Sequence, residues 1–163
     1  MQKLYKIQFK DKGVGAVNKK TRRLMLRYLN EMNISINFVE ATELPHCVLG
    51  LYTNNYIVNN LGPKFSGLSA ADTQGPRPRQ VYLNKDNWES PPSHFSRVDE
   101  YRKYVVRHEI MHTLGHLHVK GKPQKPCPLM LPQTNEAVVY KNRCTPNSKY
   151  TEDDDDLESY KDF

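Results

Sequence analysis

The eleven residues His108-Glu109-Ile110-Met111-His112-Thr113-Leu114-Gly115-His116-Leu117-His118 read H-E-x-x-H-x-x-G-x-x-H, and each fixed position has a chemical reason. Residues four apart share one face of a helix, so His108 and His112 can aim imidazole nitrogens at one point. Neutral imidazole is a good ligand for Zn²⁺, whose catalytic sites keep three protein ligands and one open position. Glu109 stands beside that face, within reach of a metal-activated water without being a ligand itself. Gly115 ends the helix, because glycine enters the left-handed conformation without a Cβ penalty. The chain can then turn and bring back a third ligand; His116 competes for that role, and the spacing favours His118. H-E-x-x-H alone arises by chance or as an ordinary pair of helical histidines, but the added Gly and His make a chance match far rarer. The stretch therefore predicts a zinc hydrolase site, with His108, His112 and His118 as ligands and Glu109 as general base.

This stretch resembles the zinc-binding motif of the metzincin clan of metalloproteases, and Leu129-Met130-Leu131-Pro132 resembles the Met-turn of the matrixins, the matrix-metalloprotease family within that clan. The linker from His118 to Met130 is a few residues longer than is usual there. The resemblance implies a zinc endopeptidase with one catalytic ion, acting as a monomer on protein or peptide substrates. It implies an α+β, zincin-like fold over residues 1–163, with a twisted mixed sheet and two long helices. Residues 1–115 would hold the sheet and active-site helix. Residues 116–163 would form a small subdomain with the Met-turn and a C-terminal helix. Met130 becomes an apolar floor beneath the metal. The substrate cleft falls between a sheet edge near Gly67 and Leu68 and the loop after the Met-turn, where Leu131 and Pro132 are the candidate contacts. That loop is unlike matrixin sequences, which leaves its preference open.

The elements that must position these residues are legible in outline. Residues 4–9, 34–39, 47–52 and 80–88 carry strand-like patterns, the last ending in a turn with Trp88 as a core anchor. Asn18 is an N-cap for a helix to about Met32, with Met25, Leu29 and Met32 at helical spacing and Lys19, Lys20, Arg22, Arg23 and Arg27 on a solvated face. Residues 53–80, rich in Asn, Gly, Pro and Ser, read as irregular. Ser96-Arg97-Val98-Asp99 reads as a capping box opening the active-site helix. Along that helix Tyr101 and Val105 share the stripe of His108 and His112, while Val106, Ile110 and Leu114 form another, so it is expected to be covered on two sides. Thr151 is an N-cap for a terminal helix whose first turn is acidic.

The net charge of +6 conceals an asymmetry: residues 151–163 hold −6 and the remainder +12. A basic body of that size suggests a second reading, a nucleic-acid-associated metalloprotease acting on DNA-bound proteins. No apolar run approaches a membrane span, and the N-terminal residues lack an apolar signal segment, so an intracellular location is expected unless a leader was removed from a secreted chain. Cys47, Cys127 and Cys144 are expected as free thiols, with a Cys127–Cys144 bridge as the alternative. A third reading is a zinc-stabilised binding module without catalysis, which would need Cys127 or Cys144 to block the open metal position. His46 and His94 are expected to be plain surface residues.

Overall fold

A strand built on alternation lies second in the sheet. In β1 (Lys3–Phe9) Tyr5, Ile7 and Phe9 are buried, while Lys6 and Gln8 on the other face are partly exposed. The structure, a computed structural model, describes residues 2–154. Helix α1 (Lys19–Asn30) starts at the expected cap, with the Asn18 side chain accepting from the Thr21 N–H at 2.8 Å, and buries Met25, Tyr28 and Leu29. Strands β2 (Ile36–Glu40) and β3 (Cys47–Tyr52) follow, then α2 (Asn54–Leu61), β4 (Ala70–Ala71), β5 (Arg79–Asn84), α3 (Lys85–Glu89), α4 (Val98–Thr113) and α5 (Glu136–Asn142). Short 3₁₀ turns lie at Pro63–Phe65 and Glu152–Asp154.

The five strands form one mixed sheet in the order β2-β1-β3-β5-β4. β1 runs parallel to β2 and β3, β3 runs parallel to β5, and only β4, at the edge, is antiparallel. A parallel pair needs a crossover, which α1 supplies between β1 and β2. α1 packs on β2 and on α4, and α4 packs on β5 and β4. One core joins Tyr5, Phe38, Leu49, Met25, Tyr104 and Ile110 and runs on into Leu129 and Met130. It therefore crosses the expected boundary at residue 115. A smaller cluster of Cys127, Leu131, Val139 and Cys144 sits beside it.

Four expectations change. Residues 53–80 are not wholly irregular: Thr53 accepts from the Tyr56 N–H and caps α2, which Gly62 ends at φ +116°. Its Asn-rich sequence has weak helix propensity and only Ile57 fully buried, so periodicity did not reveal it. Ser96 does not cap α4. Arg97 is the extended N-cap residue, and its guanidinium grips Asp99 at 3.0 and 3.1 Å, engaging the carboxylate that a capping box would have used. Cys127 and Cys144 are disulfide-bonded, and Cys47 is the free, buried thiol. Backbone bonds between residues 125–127 and Thr145 hold those two segments side by side, which brings the thiols together. His46 and His94 are half-buried and bonded: the Nδ1 of His46 accepts from the Lys6 N–H, and the Nε2 of His94 lies 2.6 Å from the Gln133 carbonyl. The terminal helix expected from Thr151 falls mostly outside the described residues, of which Glu152–Asp154 form a 3₁₀ turn. Among the described residues no helix is long and apolar enough to cross a membrane.

Candidate metal centre

Every residue of α4 from Tyr104 to Thr113 is buried. Its two stripes are covered as expected, which fixes the helix and with it the side chains it presents. Its C-terminal end is tied to the sheet twice. The Thr113 hydroxyl bonds to the Tyr5 hydroxyl of β1, and the Arg79 guanidinium of β5 donates to the Thr113 carbonyl at 2.7 Å. A cation on the last carbonyls is also favoured by the helix dipole. Gly115, at φ +98°, then reverses the chain: its N–H bonds to the His112 carbonyl and the His116 N–H reaches back to Met111. This is the glycine-terminated helix end that the spacing predicts.

The turn delivers His118 and not His116. His118 Nε2 lies 3.3 Å from His108 Nε2 and 3.2 Å from His112 Nε2, and the three ligand atoms fall within 4.8 Å of one another. His116 is buried with its ring edge-on to Tyr150, and contributes its carbonyl instead. His108 Nδ1 bonds to the Leu129 carbonyl and His112 Nδ1 to the His116 carbonyl, each at 2.7 Å. A carbonyl can only accept, so both Nδ1 atoms carry the proton, and each neutral ring presents an Nε2 lone pair to the centre. His118 can donate to one of them at most. At least one close pair is then lone pair against lone pair, which is repulsive unless a cation lies between. The two separations to His118, 3.2 and 3.3 Å, match edges of a tetrahedron whose centre is about 2.0–2.1 Å from each nitrogen, the length of a Zn–N bond. The donor set and its outer hydrogen bonds therefore suit an imidazole-bound divalent metal ion.

Burial shapes the electrostatics. It holds His108 well below the ordinary histidine range, with His112 adding repulsion, and lowers His112 to about 4; His118 is lowered as well. All three are therefore neutral at pH 7, the form that binds metal. Burial also raises Glu109 to about 8. Its Oε2 is buried without a hydrogen-bond partner among the described residues. A buried, orphaned carboxyl oxygen on the residue that follows the first ligand is a feature that a bound cation and its water would satisfy.

The Met130 segment supports these ligands through its backbone. Leu129 provides the carbonyl for His108, and the Met130 carbonyl accepts from Val119, the residue after His118. Met130 itself is fully buried in the main core. Asp154, 1% exposed, was not anticipated. It accepts from the Leu129 and Met130 N–H groups at 2.8 and 2.6 Å, and from the N–H and hydroxyl of Thr151, each at 2.9 Å. The sequence placed it in a run of acids with nothing to single it out. Arg107, also missed, is buried and donates to the Tyr28 and Ser148 carbonyls, pinning α1 and the C-terminal segment to α4 one residue before the first ligand.

The candidate substrate contacts fare differently. The Gly67 N–H and carbonyl are taken by Asn54 and Asn87, and the Leu68 carbonyl accepts from Asn84, so this stretch is fastened to α2 and the ends of β5 and α3. The edge strand begins two residues later, at Ala70. Leu131 is buried in the disulfide cluster with its carbonyl held by Tyr104, and Pro132 is half-buried beside it.

A mixed sheet carrying a buried helix with three converging histidines defines a candidate metal-binding domain of the α-and-β class. Residues 11–159 match DUF3152, described as a protein of unknown function, and the chain belongs to that family. No curated protein matches the chain.

Proposed function

We propose that the protein is a zinc-dependent endopeptidase. The observation that carries this reading is the convergence of three imidazole Nε2 atoms, together with the buried, orphaned carboxyl of Glu109 on the same helix. Bound there, Zn²⁺ supplies a Lewis acid that polarises a carbonyl and acidifies water. His108, His112 and His118 hold the ion, and the Leu129 and His116 carbonyls keep the first two in the tautomer that binds it. Glu109 takes a proton from the attacking water at its carboxylate and passes it to the leaving amine. Beside a cation the carboxylate form is favoured over the neutral acid that burial alone would leave. β4 lies at the sheet edge and packs on α4, so an extended peptide can add to its outer side as another strand.

A silent zinc module would need a sulfur ligand to close the metal, and Cys127 and Cys144 are committed to each other. That favours an open, catalytic site. The test is a peptide-library cleavage assay on the metal-loaded protein, with and without chelator. Glu109→Ala should retain the metal and lose about 10²–10⁴-fold in rate. Cleavage that survives chelation, or that survives in the variant, sinks the reading.

A further inference from the structure

Away from the metal centre, an open groove of about 1170 Å³ lies between the first half of α1, α3 and the N-terminal half of α4. It exceeds the roughly 300–1,000 Å³ of a small-molecule pocket. Arg102, on its α4 wall, is six residues before His108, or about 9 Å along the helix, and none of the three candidate ligands lines the groove. The groove is therefore separate from the candidate metal site.

Its charge is predominantly basic: seven Lys and Arg side chains line it against two acids, Asp11 and Glu89, which pair with Arg22 and Lys85. Lys19, Arg23 and Arg27 recur every four residues along one ridge of α1, with Lys20 beside them and Arg102 opposite. Among the described residues Lys19, Lys20 and Arg23 have no carboxylate partner. Arg27 has only an exposed pair with Glu31, of a kind that contributes little. The first turn of α1 contains no acid, so two lysines stand at the positive end of a helix dipole. That placement is mildly unfavourable for the helix alone and favours an anion beside it.

The apolar lining narrows the occupant. Val17 and Trp88 are buried, and the Arg102 guanidinium covers the Trp88 ring at 5.0 Å while its Nε donates to the Trp88 carbonyl. Part-buried Leu24 and Leu51 add some apolar lining, but no exposed aromatic residue supplies the kind of anchor that protein partners usually use. Single-stranded nucleic acid binds on exposed aromatic platforms, and here the one ring is occupied. A linear array of cations without such anchors fits the phosphate backbone of a duplex, where counterion release supplies the affinity and no base is read.

We infer that this groove binds double-helical nucleic acid through its phosphates, without sequence preference. The inference does not depend on the metal or on peptidase activity. The test is fluorescence anisotropy of the full chain with a labelled 20-base-pair DNA duplex. Four phosphate contacts, by Lys19, Lys20, Arg23 and Arg102, give a log–log salt slope near −3.6 and a loss of roughly 10²-fold in affinity between 50 and 200 mM salt. The triple variant K19E/K20E/R23E should fold, as judged by circular dichroism and Tm, and weaken binding at least tenfold with a slope shallower by about three. A charge-matched variant elsewhere, K64E/K125E/K141E, should change affinity by less than about threefold. The inference is overturned by absence of duplex binding at 50 mM salt, or by equal losses in the two triple variants. Tighter binding of single-stranded oligothymidine, or equal competition by polyglutamate, overturns it too, the latter assigning the groove to acidic protein.

Discussion

Asp154→Asn separates support of the metal site from the ligands themselves. One carboxylate oxygen accepts from Leu129, and from both Thr151 donors, while the other accepts from Met130 alone. An amide oxygen can replace the first, but its NH₂ then faces the Met130 N–H, leaving a buried donor unsatisfied. Such a group costs about 1–3 kcal/mol, so the metal-free variant should lose about 2 kcal/mol. For a chain of this size that lowers Tm by roughly 4–8 °C. The peptide also turns the Leu129 carbonyl that orients His108. Loss of support at that range weakens metal binding by roughly 10–100-fold. Calorimetry of the metal-free protein reads the first effect, and zinc competition with a chromophoric chelator reads the second. A variant with unchanged Tm and unchanged zinc affinity would refute the argument. A lower Tm with unchanged affinity would make Asp154 a brace for the fold alone.

The metal-free protein should be most stable near pH 6.5. Histidines lowered on folding contribute stability that is fully present above their ordinary value of 6.5 and is lost as pH falls towards about 4, where His112 protonates in the fold. Glu109, raised to about 8, acts oppositely: the fold loses stability as pH climbs from about 4.5 to 8. Between 4.5 and 6.5 three histidines outweigh one carboxyl, so Tm should fall on both sides of the maximum, and Glu109→Gln should remove the alkaline limb alone. Gly115→Ala places a Cβ at φ +98° and should cost about 1–2 kcal/mol in urea unfolding, with weaker zinc binding because His118 shifts. Reducing the Cys127–Cys144 bond, which closes a loop of 17 residues, should cost about 3 kcal/mol; an unchanged midpoint in reductant would contradict that.

The sequence by itself determined the parts governed by local periodicity. A separation of four residues places His108 and His112 on one helical face, and Gly115 sits where the backbone must enter positive φ. Strand β1 and the Asn18 cap of α1 followed from alternation and capping chemistry in the same way. Tertiary structure decided what depends on partners distant in the chain. The spacing favoured His118 over His116, but the turn delivered it, once His116 packed against Tyr150 and lent its carbonyl to His112. The sequence left the Cys127–Cys144 bond open as one of two alternatives, and the hold of Asp154 on Leu129 and Met130 and the basic groove between α1, α3 and α4 join residues that sequence patterns cannot pair. Periodicity fixes which way a side chain points from its own element, whereas a long-range contact exists only after the elements have packed.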